Sequence, residues 1–442
     1  MRRIWIGLIL LVASIGGLLY FQWGDRAKIS ADKGFGATPT LPKPNPTLIP
    51  TINIAPAVSW PEGVIPIAAK GLAVNAFASG LDHPRWLHIL PNGDVLVAES
   101  NAPSKPSGRI SVKDVGMKVV MTRAGAGVPS ANRISLLRDG DGDGIAETKS
   151  AFLENLNSPF GMALVGNILY VANTDAIVAF DYTPGATKLT SPGVTIAKLP
   201  AGPINHHWTK DIIASPDGTK LYATVGSNSN VAENGMDNEV NRAAILEVDI
   251  ATGGTRIFAA GLRNPNGLAW QPDSGKLWVA VNERDEIGSD LVPDYLTSVQ
   301  DGGFYGWPYS YYGKIVDTRV KPARPDLVAK AIVPDYALGA HTASLGVAFN
   351  NKTLFPARYT NGAFIGQHGS WNRTPVSGYK VIFIPFRNGT PSGPPETILG
   401  GFLNSKQQAM GRPVGVAFHT TGALLAADDV GNVIWRVVPT AG

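Results

Sequence analysis

A short hairpin pattern recurs six times along this chain, and it constrains the fold more than any other feature. Each copy is a turn with Gly, Asn or Asp, followed by a strand-like run of Leu, Val, Tyr, Trp and Ala. The copies are PNGDVLVAE from Pro91, VGNILYVAN from Val165, SPDGTKLYATVG from Ser215, QPDSGKLWVAVN from Gln271, LFPARYTNGAFIG from Leu354 and HTTGALLAADD from His419. A spacing of roughly sixty residues suits four strands per copy. The repeat therefore predicts an all-β fold, a six-bladed β-propeller over residues 67–442.

The composition also indicates many short strands. The 442 residues include 50 Gly and 34 Pro, and only 16% are charged, which is typical of strands joined by tight turns. A β-sandwich would explain the strand composition but not six copies of one hairpin. Two separate β domains stay open as an alternative, although no Pro-rich or charged linker interrupts residues 67–442.

Charge and cysteine content exclude several functions. The net charge is +4 and no run of Lys and Arg is longer than a pair, so nucleic-acid binding, which needs a basic stripe, is not expected. The chain has no Cys, which excludes disulfides, thiol catalysis and zinc–thiolate sites.

An uncharged segment, Ile4–Trp23, opens the chain after two arginines. A helix of this length spans the roughly 30 Å of a bilayer core. We predict a membrane anchor helix over residues 1–27, with a cleaved export signal as the alternative. Either places the body in the periplasm or elsewhere outside the cytoplasm, and the anchor would hold it at the cytoplasmic membrane. Residues 28–66 contain eight prolines and are predicted to be an extended linker.

An acidic turn, RDGDGDGIAE, places Asp139, Asp141 and Asp143 at the spacing of a calcium loop. A complete EF-hand would need a Glu at the position of Ser150, so this turn is not an EF-hand. A structural calcium ion held by the three carboxylates and a solvated acidic turn both stay open.

A histidine pair, His206 and His207, stands just before the third hairpin copy. Adjacent side chains on a strand point to opposite faces, so at most one is expected to face a given cavity. A histidine with a pKa of about 6.5 can act as a base at neutral pH, and a packing role is the alternative.

Further polar groups stand at the ends of predicted strands. In GLRNPNGLAW, Arg263 and Asn264 precede a Pro, and an Arg in such a stiff loop offers a fixed fork for a carboxylate or an oxyanion, with solvation of the turn as the alternative. In NERDEIGSDLVPDYLTSVQDGGFYGWP, the backbone carbonyls of Glu283 and Arg284 and nearby carboxylates could hold a hard cation. The stretch GQHGSWNR and the segment at Arg412 also place polar groups beside strands.

Together these motifs resemble the glucose/sorbosone dehydrogenase family, soluble quinoproteins that are six-bladed β-propellers and bind pyrroloquinoline quinone (PQQ). The resemblance covers most of residues 70–440 and is strongest at HHWTKDIIASPDGTKLY, GLRNPNGLAW, NERD with GGFYGWP, and GQHGSWNR. It implies a dehydrogenase that oxidises a sugar or sugar aldehyde, of sorbosone or aldose type, and passes the electrons to an external acceptor. GQHGSWNR is similar to the sorbosone-type branch.

The resemblance also implies roles for individual residues. His207 would be the general base that takes the proton of the substrate hydroxyl while hydride leaves for the quinone, and Arg263 would stabilise the reduced quinone. Asn264 would contact the cofactor. The backbone carbonyls of Glu283 and Arg284 would bind an active-site Ca2+ ion.

Cofactor anchoring differs from the glucose-oxidising branch of the family. Arg412 would pair with the carboxylates of PQQ. Val414 and Ser370 stand where that branch has a second Arg and a Lys, so His368 or Arg373 is expected to compensate.

Ser227 stands where the same branch has an Asp that orients the catalytic base. Another group such as Asp211, Glu233 or Asp237 is expected to orient His207 instead, and the alternative is a weaker base than in that branch. Two other functions stay open, a calcium-dependent hydrolase of the lactonase type and a non-catalytic sugar-binding propeller.

Overall fold

The computed structural model describes residues 5, 7, 9–17, 25–47, 51–104, 119–350 and 354–440. Six sheets of four or more strands form most of this part of the chain, and their main strands pair antiparallel. The inner strands of consecutive sheets contact one another in a closed cycle. The predicted all-β, six-bladed β-propeller is therefore confirmed.

Each blade has four main strands that run from the central axis to the rim. In blades one to three they are Pro84–Ile89, Val95–Glu99, Arg133–Arg138 and Thr148–Leu153; Met162–Val165, Ile168–Ala172, Ala176–Asp181 and Val194–Lys198; Ile212–Ala214, Lys220–Val225, Ala244–Asp249 and Thr255–Ala260. In blades four to six they are Asn264–Trp270, Leu277–Asn282, Pro293–Ser298 and Tyr336–Ala340; Ser344–Phe349, Gly362–Gln367, Lys380–Arg387 and Glu396–Gly400; Pro413–Phe418, Leu424–Asp428, Val433–Pro439 and Leu72–Ser79.

The ring is closed by its N-terminal strand, because Leu72–Ser79 is the outer strand of blade six and pairs antiparallel with Val433–Pro439. The remaining short elements lie at the rim and in the loops. They are the strands Phe35–Gly36, Ile67–Ala68, Gly303–Phe304, Ser310–Tyr311, Ile315–Val316 and Thr390–Pro391, the 3-10 helices Ala31–Gly34, Met236–Glu239 and Ala357–Tyr359, and the α-helix Pro325–Lys330.

The repeated hairpin of the sequence joins the first and second strands of each blade. Its turn glycine has a positive φ in five blades, for example 93° at Gly93 and 70° at Gly218, a conformation that favours glycine. The second strands carry continuous apolar runs because neighbouring blades cover both of their faces. In Val95–Glu99 every residue is buried.

This repeat also determines where the candidate residues lie. The inner strand begins, and the antiparallel second strand ends, at the same face of each blade, as the pairs Asn264 with Asn282 and Pro413 with Asp428 show. Residues before the inner strands and after the second strands therefore gather at one face of the propeller, here called the site face. The turns that join third to fourth strands lie at the opposite face.

The described parts of the segment predicted as a linker are mostly extended, and they lie against the propeller rather than free of it. Phe35–Gly36 pairs with the outer strand of blade four, the amide of Asn45 donates to the carbonyl of Ile287 at 2.9 Å, and Asn53 forms a bridge with Asn372. We call the described residues between 25 and 66 the N-terminal arm.

About half of the predicted anchor helix falls on residues outside the described ranges. Within those ranges, residues 9–17 are helical, and no helix is both long and apolar enough to cross a bilayer.

Candidate active site

The predicted catalytic and cofactor-binding residues all lie in segments at the site face. His207 precedes the inner strand of blade three, and Arg263 and Asn264 open the inner strand of blade four. Four more follow second strands or precede an inner strand in the same way, and these are Glu283, Arg284, His368 and Arg412. The propeller repeat, rather than proximity in sequence, brings them together.

The ring of His207 is held by Ser227. Its Nδ1 lies 2.7 Å from the carbonyl oxygen of Ser227 and 3.1 Å from the hydroxyl. Because a carbonyl oxygen only accepts, Nδ1 carries the proton and Nε2 is left as an acceptor. Burial, with added repulsion from His206 and Arg263, lowers the pKa of His207 well below its usual value of 6.5. The ring is a neutral imidazole with one basic nitrogen at neutral pH.

A carboxylate was expected from the sequence to orient this imidazole, and that expectation is wrong. Asp211 accepts a hydrogen bond from a backbone amide of blade four, Glu233 accepts from amides of its own loop, and Asp237 is exposed. Within the described residues, the polar partners of the His207 ring are the carbonyl and hydroxyl groups of Ser227. The backbone carbonyl of Ser227 thus takes the place of the aspartate expected at this position. Every residue has a backbone carbonyl, so the sequence could not reveal this partner.

Arg263 is fixed by three acceptors and is only 3% exposed. Its Nη1 donates to the carbonyl of Glu283 at 2.6 Å, Nε to the carbonyl of Asn230 at 3.2 Å, and Nη2 to the carboxylate of Asp285 at 3.1 Å. A guanidinium has five N–H donors, so two remain for a ligand.

The guanidinium of Arg263 also bears on the predicted calcium ligands. A cation bound to the Glu283 carbonyl would lie beside a positive charge. The carbonyl of Arg284 accepts no hydrogen bond from the residues that the structure describes, so it is the better placed of the two. The side chain of Arg284 is buried and pairs with Asp317 at 3.0 Å.

Asn264 and His207 converge over a glycine. A Cβ added to Gly226 would lie 2.5 Å from the Cβ of His207 and would overlap Oδ1 of Asn264. The Oδ1 atom is buried and has no hydrogen-bond partner among the described residues. This amide oxygen can accept a hydrogen bond from a ligand bound beside the neutral imidazole of His207.

Asp285 is a site residue that the motifs did not predict, although it lies in the quoted NERD stretch. Its carboxylate accepts hydrogen bonds from Arg263 and from Asn372, the latter at 2.6 Å, and lies 3.3 Å from Nδ1 of His341. Burial opposes ionisation of Asp285, but the cations Arg263 and His341 outweigh it and hold its pKa well below the usual range. The carboxylate is therefore a charged anchor for Arg263.

A second buried carboxylate, Asp429, was also not predicted. It accepts from Nη1 of Arg85 at 2.5 Å and from Nε2 of His368 at 2.9 Å, and it lies 3.4 Å from His83. Despite burial, these partners lower the pKa of Asp429 far below the usual range. Its only signal in the sequence is its place at the end of the sixth hairpin copy.

Arg412 lies close to this cluster and is 3% exposed. Its Nη2 donates to the carbonyl of Ala55 in the N-terminal arm at 3.2 Å, and its guanidinium lies 4.9 Å from the ring centre of Tyr379. Its Nε has no hydrogen-bond partner within the described residues.

Arg373 is the predicted cofactor residue that is not brought to these groups. It donates to the carbonyl of Pro375 at 2.8 Å and lies 3.6 Å from Asp290. It lines a cavity of about 180 Å³ between the propeller and residues 29–35. Asn372, its neighbour, reaches Asp285 instead, because adjacent residues of an extended chain point to opposite sides.

The acidic turn lies at the opposite face, between the third and fourth strands of blade one. Asp139, Asp141 and Asp143 are joined there by Glu147, and one oxygen of each carboxylate lies within 4.8 Å of the others. This grouping is separate from the site face, so the three predicted ligands serve no step at His207.

Comparison with known proteins gives one family match and several relatives. The family model described as TrAA12-like matches residues 66–294 and 327–439. An uncharacterized protein of Borreliella burgdorferi is 30% identical over 294 residues, which are 64% of this chain and 76% of that protein.

Two solved structures share the fold. The calcium structure of the Trichoderma reesei family AA12 protein is 18% identical, with a TM-score of 0.68 over 88% of this chain and 99% of that one. The holo form of the pyranose dehydrogenase PQQ domain of Coprinopsis cinerea is also 18% identical, with a TM-score of 0.68 over 87% and 100% of the two chains. Since the family model covers well over half of its residues, the chain belongs to the TrAA12-like family.

Proposed function

We propose that this protein is a PQQ-dependent dehydrogenase that oxidises a sugar or sugar aldehyde at the site face. The observation that carries the proposal is the convergence of a neutral His207, a fixed Arg263 and the unsatisfied Asn264. Membership of the TrAA12-like family and the fold shared with the C. cinerea pyranose dehydrogenase PQQ domain support it.

The residues at the site face fit the proposed cofactor. PQQ is planar and carries three carboxylates, which suits the guanidinium groups of Arg85 and Arg412. Buried Nε atoms of Arg85 and Arg412 and Oδ1 of Asn264 lack partners among the described residues. The cofactor also supplies a quinone carbonyl that accepts hydride.

The chain itself would perform the acid–base and electrostatic work. Nε2 of His207 accepts the proton of the substrate hydroxyl as the hydride leaves the same carbon, so the C–OH group becomes a carbonyl. Arg263 stabilises the negative charge that develops on the acceptor, because Asp285 and two carbonyls hold its guanidinium in place. His368, tied to Asp429, would position the anionic end of the cofactor.

Calcium enters the proposal at two places. The carbonyl of Arg284, with or without that of Glu283, would hold an active-site Ca2+, in keeping with the calcium structure known for the T. reesei protein. Asp139, Asp141 and Asp143, with Glu147, would hold a structural Ca2+ at the opposite face.

We also infer an extracytoplasmic location, with residues 1–27 as anchor or export signal. Asp25 is 4% exposed and accepts from the amide of Ser289 at 3.1 Å, in the loop that follows Arg284. If Ile4–Trp23 were anchored in a bilayer, only Gly24 would separate it from Asp25, so the site face would lie near the membrane and its external electron acceptor. Recovery in the membrane fraction after an alkaline carbonate wash would support an anchor, and release would favour a cleaved signal.

Reconstitution of the purified chain tests the proposed activity. PQQ and CaCl2 are added, and aldoses, pyranoses and sorbosone are offered with an artificial dye acceptor. We expect PQQ-dependent dye reduction that His207→Gln abolishes and His206→Gln, the matched control, retains. Acid release from lactones without an acceptor would instead indicate a hydrolase, and sugar binding without turnover would indicate a binding module.

A further inference from the structure

Part of the N-terminal arm, residues 51–60, lies against the site face although it precedes the residues matched by the family model, which begin at residue 66. Two parallel bridges fix its path. Asn53 pairs with Asn372 beside blade five, and Ala57 pairs with Ala409 ahead of the inner strand of blade six. The arm thus reaches the two blades that carry His368 and Arg412.

One link joins the arm to the side chain of Arg412. The carbonyl of Ala55, a residue that is 2% exposed, accepts the hydrogen bond from Nη2 of Arg412 at 3.2 Å. On its other side the guanidinium lies over the ring of Tyr379, whose hydroxyl is itself held by the carbonyl of Ser370 at 2.7 Å. Arg412 is therefore held between the arm and blade five.

A second link joins the arm to the backbone of Arg412. The indole N–H of Trp60 donates to Oδ2 of Asp428 at 2.8 Å, and Oδ1 of the same carboxylate accepts from the amide of Arg412 at 2.7 Å. Asp428 is fully buried and accepts another bond from the indole of Trp435 at 3.1 Å. The carboxylate of Asp428 thus links the indole of Trp60 to the backbone of Arg412, just before the inner strand of blade six.

The propeller has room for this arm because of particular glycines. A Cβ at Gly431 would lie 2.5 Å from the indole nitrogen of Trp60 and would overlap the carboxylate of Asp428. A Cβ at Gly339 would lie 2.7 Å from the ring of Phe35, in an earlier part of the arm. The arm therefore occupies surfaces shaped to receive it.

We propose that Trp60 and the carbonyl of Ala55 are positioning groups that set Arg412 for the carboxylates of the cofactor. This inference rests on the proposed function. The predicted linker then lines the site, and the affinity for PQQ depends on residues that precede those matched by the family model.

The test is Trp60→Phe in the full chain, with Trp270→Phe as the matched control. Trp60 stacks edge-on with Trp435 at 5.3 Å, and Phe keeps an aromatic ring there while losing the N–H. Trp270 is also half-buried, donates its indole N–H to the carbonyl of Ala214 at 2.8 Å, and stacks edge-on with Tyr222 at 5.7 Å. Both variants lose one indole hydrogen bond, but only one loses it next to Arg412.

The first measurement is the Kd for PQQ by calorimetric titration. We expect Trp60→Phe to raise it about tenfold and Trp270→Phe to leave it unchanged, at similar Tm. In an Arg412→Ala background the effect of Trp60→Phe should disappear, because the two groups act through one contact. Equal Kd values for Trp60→Phe and the parent chain would overturn the inference.

The second measurement needs no cofactor. Phenylglyoxal modifies accessible guanidinium groups, and Arg412, at 3% exposure, should be protected in the parent chain. We expect its modification rate, followed by mass spectrometry, to rise several-fold in Trp60→Phe and not in Trp270→Phe. If the parent chain does not bind PQQ, the proposed function fails and this rate alone decides the inference, which an unchanged rate would overturn.

Discussion

Two buried carboxylates, Asp285 and Asp429, organise different parts of the site face, and only Asp429 binds one of the two predicted site histidines. Asp285 holds Arg263, while nearby His207 donates its Nδ1–H hydrogen bond to the backbone carbonyl of Ser227. Asp429 binds His368 directly. In each imidazole one ring nitrogen is hydrogen-bonded to a described residue and the other is available to a ligand. The neighbouring groups therefore determine whether the histidine serves as a base or as an anchor. His207 has a guanidinium and the unsatisfied amide oxygen of Asn264 beside it, which suits a base, whereas His368 lies with Arg85 around Asp429, which suits an anchor.

The largest expected effect separates these two histidines. His207→Gln should lower kcat about 10³-fold with little change in the Kd for PQQ, because it removes the proton acceptor. His368→Gln should raise that Kd about tenfold and lower kcat less. Steady-state kinetics at saturating PQQ and a binding titration measure the two quantities. A larger loss of kcat in His368→Gln would reverse the assignment.

The carboxylates themselves should differ in their effect on stability. Asp429→Asn leaves Arg85 buried beside two histidines without a counter-charge, and we expect a loss of about 3 kcal/mol in the free energy of unfolding. Asp285→Asn should cost less, since Arg263 keeps two carbonyl acceptors. Asp326→Asn is the control, because its pair with Arg324 is exposed at the surface, where solvent screens it, so stability should hardly change. Urea unfolding provides the values, and an Asp285→Asn loss equal to that of Asp429→Asn would refute the ranking.

A substitution at Gly226, where His207 and Asn264 converge, should have a smaller effect on catalysis than loss of His207. Gly226→Ala inserts a methyl group where the two side chains converge, so it should displace the imidazole and lower kcat/KM roughly tenfold to a hundredfold. At Gly140 an added Cβ has only the carboxylate of Glu147 within 4 Å, at 3.5 Å, so Gly140→Ala should retain activity. Wild-type kinetics in Gly226→Ala would show that the imidazole is placed by other contacts.

The smallest effect is the position of the acid limb in the pH profile. Since the pKa of His207 lies well below 6.5, kcat/KM should stay level between about pH 8 and pH 6.5 and fall only at lower pH. A folded-state pKa below that of the unfolded chain stabilises the fold at pH above about 6.5, and this contribution is lost as the pH falls. An acid limb centred at or above pH 6.5, measured with saturating PQQ, would contradict a buried neutral base.

Much of the site could be predicted from motifs, because the propeller repeat ties sequence position to location. Any polar residue before an inner strand or after a second strand belongs to the site face, and His207, Arg263, Asn264, His368 and Arg412 all follow this rule. The resemblance to quinoprotein sugar dehydrogenases is confirmed at the level of the family, while the sorbosone-type branch stays a prediction.

The groups that were not predicted act through contacts between distant segments. His341 meets Asp285 across 56 positions of sequence, and Arg85 meets Asp429 across 344. Neither pair has a spacing rule, because the segments that carry these residues meet only once the blades have packed around the ring. The same reason explains Arg373, whose motif is similar to a cofactor site but whose side chain turns toward Asp290.

The sequence by itself determined the six hairpins, the strand content and the face to which the polar loops belong, because these follow from local turn chemistry and a period of two along each strand. Only the tertiary structure decided that a carbonyl of Ser227 orients the base, that two carboxylates hold the cations, and that the Pro-rich segment packs against the site. Those are choices among partners far apart in the chain, and they depend on burial and distance, which a linear pattern does not specify.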